Sequence, residues 1–290
     1  MAWSERQTAM LQAMGLRLFQ APSATVSAAA MVLTDAPATA TLPAQSRTPL
    51  PLPVPVPALA AASDATAAAP QRRAPEHQTV VVKAPLSEAQ AAVSDLDWPA
   101  LRQAVAQCRA CGLCEGRQQT VFGAGHPQAH WMVIGEAPGA QEDAEGEPFV
   151  GAAGQLLDNM LRALGLSRAA QGDAARSVYI ANTLKCRPPG NRNPKPDELS
   201  RCEPFLLRQI ELLQPRIILA MGRFAVQALL RSSEPVGRLR GRVHAFQGVP
   251  LVVTYHPAYL LRNLPDKARA WEDLCLAARV AEAANATRLG

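Results

Sequence analysis

Aromatic residues make up only 4% of this 290-residue chain. The first 95 residues hold just two of them, Trp3 and Phe19. A stretch so poor in large apolar side chains cannot bury enough surface to offset the entropy of ordering, which excludes a packed core there. Charge of one sign is lacking in the same stretch, where six Lys/Arg face six Asp/Glu. The formal excess of +5 therefore falls wholly on residues 96–290, a modest lean toward polyanions. No apolar run approaches the ~20 residues of a membrane-spanning helix. The tract Val26–Leu33 lacks the basic flank of a signal peptide. A cytoplasmic monomer with no membrane partner is expected. The chain also lacks both GxGxxG and GxxxxGK[ST], which argues against a phosphate-cradling nucleotide enzyme.

What the first third does contain is proline and alanine. The run Pro49-Leu50-Pro51-Leu52-Pro53-Val54-Pro55-Val56-Pro57 favours an extended polyproline II spacer, and residues 22–95 read as a disordered linker. Ahead of it, Trp3–Phe19 places Leu11, Met14, Leu18 and Phe19 along one face of a short amphipathic helix. Residues 1–21 thus read as a docking peptide for a replisome or repair partner.

From Asp95 the pattern changes. A helix is expected from Asp97-Trp98 to near Cys108, then a buried strand over His130–Gly135 followed by the loop Glu136–Asp143. Helical spacing marks Gly154–Leu166, and a second strand, Ser177–Asn182, runs into a loop carrying Lys185, Arg187, Arg192 and Lys195. A helix runs from Asp197 to Leu213, with Pro196 at its start. The strand Arg216–Gly222, two β segments around Gln247-Gly248 and a helix over Pro265–Ala284 complete the pattern. Strands alternating with helices predict an α/β fold of three layers, with a mostly parallel central sheet covered on both faces, over residues 96–290. Right-handed crossovers would gather the strand C-termini on one edge, where such sheets bind ligands. That edge would present Glu136–Asp143, Asn182, Gly222-Arg223 and His256.

Six cysteines in a reducing compartment point to metal ligands or buried thiols rather than disulfides. Cys108-x2-Cys111 is a chelating pair and Cys186-x15-Cys202 is a second. Four thiolates suit a structural zinc or a [4Fe–4S] cluster, and spacing alone does not separate the two. Cys275, midway along an apolar helix, reads as a core residue. Either metal would stiffen the basic loop Lys185–Asp197, which suits phosphate contacts.

The segments GEAPG (Gly135–Gly139), EPFVG (Glu147–Gly151), ANTLKCRPP (Ala181–Pro189) and HPAYLLR (His256–Arg262) are together similar to those of the family 4 uracil-DNA glycosylases. These are iron–sulfur members of their superfamily. The resemblance covers about residues 98–284, includes the four-cysteine layout and implies a [4Fe–4S] cluster on Cys108, Cys111, Cys186 and Cys202. It implies that uracil-containing DNA is the substrate and that the N-glycosidic bond of a flipped-out uracil is hydrolysed. Asn182 would read the base edge, Phe149 would stack on it, and Ala137 and Gly139 would line the pocket floor. His256 would hydrogen-bond uracil O2 as charge grows there, with Glu136 and Glu142 as the carboxylates nearest the chemistry. Lys185, Arg187, Arg192 and Arg262 would hold DNA, and Leu261 would wedge into the vacated stack. Where family 1 enzymes carry a water-positioning aspartate this chain has Ala137, as family 4 does, so the water-activating residue is left unassigned. The rival reading is a non-catalytic iron–sulfur adaptor that binds DNA and docks through residues 3–19.

Overall fold

The computed structural model describes residues 92–287. The docking-peptide reading, and the linker reading up to residue 91, fall outside the described residues. Residues 92–95 form a turn inside the segment read as linker. Val93 is buried there against Leu101, Val105 and Phe122.

Helix α1 (Trp98–Gln107) starts where Asp97 accepts a hydrogen bond from the Ala100 N–H at 2.9 Å, with Pro99 in its first turn, where a missing N–H costs nothing. A short turn, α2 (Leu113–Gly116), and a two-residue strand, β1 (Ala124–Gly125), lead to β2 (Trp131–Gly135). Then follow α3 (Ala140–Glu145), α4 (Ala152–Ala163) and β3 (Val178–Asn182). Helix α5 (Pro196–Leu213) precedes β4 (Ile217–Met221), and α6 (Arg223–Leu230) and α7 (Val236–Leu239) come next. Strands β5 (Val243–Phe246) and β6 (Val249–Thr254) form a hairpin. Its two turn residues, Gln247 and Gly248, both have positive φ, 48° and 83°, as a tight two-residue turn requires. Helices α8 (Pro257–Leu260) and α9 (Asp266–Thr287) end the fold. No helix among the described residues is long and apolar enough to cross a membrane.

The sheet order is β1-β3-β2-β4-β6-β5, with β3, β2, β4 and β6 parallel and the two edge strands antiparallel. The expected three-layer α/β architecture is present. Along β2 and β4 the side chains alternate between two cores. Trp131, Val133, Ile217, Leu219 and Met221 face the cluster built with α4 and α9. Met132, Ile134, Ile218 and Ala220 face the cluster built with α5 and α6. Covering both faces is why every residue of β2, β3 and β4 is buried, and why these strands read as continuous apolar runs. Each large side chain so buried contributes roughly 1.5–3 kcal/mol. The register Gly135↔Asn182 and Met221↔Thr254 aligns the strand C-termini, which sets the loops bearing Glu136, Asn182, Gly222 and His256 along one edge.

Besides the one-turn helices α2, α7 and α8, β1 and α3 were not in the sequence reading. β1 is too short to show a period. α3 occupies a stretch read as loop because its polar sequence AQEDAE lacks an apolar stripe.

Candidate active site

A cleft of about 790 Å³ opens at this edge. It is lined by nine of the residues singled out in the sequence: Glu136, Ala137, Gly139, Glu142, Phe149, Asn182, Arg192, His256 and Arg262. Loops from well-separated parts of the chain thus share one concave surface.

Asn182 is the last residue of β3 and only 2% exposed. Its side-chain Oδ1 is buried without a hydrogen-bond partner. Buried polar atoms nearly always have a partner, and an orphan costs about 1–3 kcal/mol. An unpaired acceptor at the floor of a cleft points to a ligand N–H. Opposite, a side chain at Gly135 would collide with both this Oδ1 and the Phe149 ring, so glycine is what lets the two close on one space.

Phe149 is 5% exposed and stacks on His256, with centroids 5.3 Å apart and planes 28° from parallel. Its backbone lies in the left-handed region at φ 56°, a placement that costs a non-glycine residue of order 1–3 kcal/mol. His256 caps α8: its Nδ1 accepts a hydrogen bond from the Ala258 N–H at 3.2 Å. In the neutral ring the proton therefore sits on Nε2, as a donor. Burial pushes the imidazole pKa down to about 4, with Arg262 adding to the effect and Glu142 opposing it.

The two carboxylates named from the sequence have different situations. Glu136 is half-buried, and burial raises its pKa against the opposing pull of Arg223. Glu142 is fully engaged: one oxygen accepts from the Gly139 N–H at 3.0 Å, the other from Val150 and Gly151 at 3.1 and 3.3 Å. It braces two loops while still lining the cleft. Its neighbour Asp143 is buried, accepting from the Gln118 N–H at 3.0 Å.

The structure runs against the reading of Lys185 as a DNA contact. It is 1% exposed and donates to the Asn182 carbonyl at 2.9 Å and to Gln209 Oε1 at 2.6 Å. It cannot reach DNA; it fixes the backbone of the residue facing the cleft. Besides the exposed Lys195, the basic loop has two partly open cations. Arg187 donates at 2.7 Å to Asn191, which lines the cleft, and Arg192 pairs with Glu198 at its rim. Leu261 is 41% exposed beside the exposed Arg262, so an apolar tip does stand next to the cleft mouth.

A separate cavity is lined by Cys108, Cys111, Cys186 and Cys202, and by Cys114 as well. The Arg117 Nη1 donates to Cys186 Sγ at 3.0 Å and the Lys185 N–H to Cys202 Sγ at 3.2 Å. Burial pushes the Cys202 thiol up to about 12 and raises Cys111 and Cys186 too. Among the described residues no three His, Cys, Asp or Glu side chains are gathered tightly enough to hold one metal ion. None of the six cysteines is in a disulfide, and Cys275 is half-buried against the α4/α9 core.

Arg223, placed at this edge by the sequence without a role, lines the cleft beside Glu136 and lies over the Phe224 ring at 4.4 Å. The residue that sequence reasoning missed is Arg168, which had no signal, since it sits in a loop far from every motif.

Residues 122–275 match the model of the uracil DNA glycosylase superfamily. The type-4 uracil-DNA glycosylase of Archaeoglobus fulgidus is 41% identical over 165 residues, which cover 54% of this chain and 79% of that protein. The type-4 enzyme of Pyrobaculum aerophilum is 40% identical across 62% of this chain and 93% of its own length. That of Saccharolobus solfataricus is 42% identical across 58% and 79%. With a three-layer α/β fold, a cleft at the strand ends and similarity of this extent, the chain belongs to the uracil-DNA glycosylase superfamily, in its type-4 family.

Proposed function

We propose that this uracil-DNA glycosylase hydrolyses the bond between uracil and deoxyribose on a nucleotide turned out of the DNA, each group of the cleft having its own part in the reaction. The observation that carries the reading is the buried, unpartnered Asn182 Oδ1. Uracil N3–H is the donor that it lacks, and the amide NH2 can donate to O4. Cytosine offers an acceptor at N3 and a donor at the exocyclic position, so both contacts fail; sites of this kind discriminate by about 10⁴–10⁵.

As the bond from C1′ to N1 breaks, its electron pair moves onto the base and charge collects at O2. The neutral His256, with its proton on Nε2, donates there. A donor of this kind contributes about 3–4 kcal/mol to the transition state. Rings 5.3 Å apart leave no room for a base between them. Uracil therefore stacks on Phe149 by displacing the imidazole, since on the ring's other face its O2 would be out of His256's reach. Water adds to C1′, and Glu136, the cleft carboxylate without a backbone partner for its side chain, is the group we assign to orient it and to take its proton, which then passes to solvent as uracilate leaves. Leu261 fills the place of the extruded nucleotide, and Arg192 and Arg262 hold phosphates at the rim.

The cysteine cavity fits a [4Fe–4S] cluster. Cys108, Cys111, Cys186 and Cys202 would hold it, two of them already accepting hydrogen bonds at sulfur. Four thiolates suit a tetrahedral zinc as well as a cluster, and the likeness of the four-cysteine layout to the type-4 family is what supports the cluster. Held there, it would tie the helix α1 region to the loop that comes after Asn182. The adaptor reading explains the cysteines but not the orphaned Asn182 oxygen.

The test is excision from an oligonucleotide with one uracil against thymine and cytosine controls, together with iron and zinc analysis of the same sample. Cleavage after alkali confined to the uracil strand is expected, with about four irons per chain and a brown colour. Metal-replete protein that binds the DNA without excising uracil would overturn the reading. Colourless, zinc-only, active protein would overturn the cluster alone.

A further inference from the structure

Phe149 combines two features that do not maintain themselves: a left-handed backbone and a ring directed into the cleft. Of the six polar backbone groups from the Pro148 carbonyl to the Gly151 N–H, four find side-chain partners. On one side, Arg168 donates from Nη1 to the Pro148 oxygen at 2.9 Å and from Nη2 to the Phe149 oxygen at 3.1 Å. On the other, Glu142 accepts from the Val150 and Gly151 N–H groups. The guanidinium is itself oriented by Asp158 of α4, which accepts from Nε at 2.6 Å. The loop also rests on that helix so closely that a side chain at Gly154 would collide with the Phe149 oxygen.

The Arg168–Asp158 pair is partly exposed, and pairs of that kind add little to stability. What Arg168 contributes is geometric: a planar fork spanning two consecutive carbonyls, which an ammonium cannot reproduce. Arg168 does not line the cleft, so it acts through Phe149.

We propose that Arg168 is a positioning residue for uracil: with Glu142 it clamps the peptide units on either side of Phe149 and holds that ring where the base stacks. The proposal rests on the excision reading above.

Four quantities test it on the full chain as purified: single-turnover excision of uracil, inhibition by free uracil, affinity for an oligonucleotide bearing an abasic site, and the thermal midpoint. Arg168→Ala should slow excision by about tenfold to a hundredfold, the scale of an ångström-level misplacement. Inhibition by free uracil should weaken by a similar factor, while abasic-site affinity and midpoint stay near wild type. Arg168→Lys should recover only a small part. Unchanged inhibition by uracil, or all four quantities falling together, would overturn the clamp. Should Arg168→Ala fail to fold, Asp158→Asn loosens the same fork and should weaken excision and uracil inhibition alone; wild-type values there would also overturn it. Wild-type protein that excises no uracil would sink the excision reading instead, a separate result.

Discussion

Asn182→Ala should reduce uracil excision by about a thousandfold under single-turnover conditions. The amide makes two buried contacts to the base in our reading, and each one lost leaves a polar group unpaired at about 2 kcal/mol. The buried position makes the effect large. At 2% exposure, water cannot replace the truncated side chain without a gap that is itself polar on only one side. Asn182→Asp separates recognition from packing, because it keeps the shape. One carboxylate oxygen still accepts from N3–H, but the other meets the O4 acceptor, so uracil should lose at least as much as with alanine. The ratio of uracil to cytosine excision should collapse in the aspartate variant, as its second oxygen can accept from a cytosine amino group. Rates within fivefold of wild type, with the ratio intact, would remove Asn182 from its role. The Lys185 Nζ bond to the Asn182 carbonyl keeps the backbone fixed in either variant, so both should fold.

His256→Ala should cost about a hundredfold to a thousandfold in excision rate, the range for removing one donor aimed at developing charge. The imidazole also has a pH signature. Its pKa in the folded chain lies at about 4 against 6.5 for an unburied histidine, with burial as the main cause. Above pH 6.5 the ring is neutral in both folded and unfolded chains and adds no pH dependence. Between pH 6.5 and 4 the unfolded chain takes up a proton that the native chain refuses, so stability falls as pH falls, by about 3 kcal/mol in all. Urea midpoints of wild type should therefore drop more steeply over that window than those of His256→Gln. The excision rate should show no inflection near pH 6.5 attributable to this ring. An inflection there that disappears in His256→Gln would show an ordinary histidine and sink the neutral-donor role.

The parts of the site that were legible in the sequence are those whose meaning is local. Buried strands announce themselves as apolar runs because helices cover both faces, and a parallel sheet puts the loops after its strands on one edge. Asn182, Glu136 and His256 each come at or directly after a strand end, so order along the chain was enough to gather them. Phe149 was accessible only through the similarity of its surrounding segment, since nothing local marks a phenylalanine as facing a cleft. The partners of Lys185 and Glu142 were invisible in the sequence for one reason. A charged residue in a polar loop is expected in solvent, and only a distant partner overrides that: Gln209 on α5 for the lysine, the Val150 and Gly151 N–H groups for the glutamate.

By itself the sequence determined the α/β layering, the edge that holds the site, the two cysteine pairs and the change of composition near residue 95. Those depend on side-chain period and composition, which short windows contain. Tertiary structure alone decided which polar groups are free and which are consumed. It left Asn182 Oδ1 without a partner, spent the Glu142 carboxylate on three backbone donors, buried Lys185 beneath the asparagine, and brought Arg168 onto a loop 20 residues earlier. A hydrogen bond is made by whichever group folding brings within about 3 Å, and no window of sequence contains that distance.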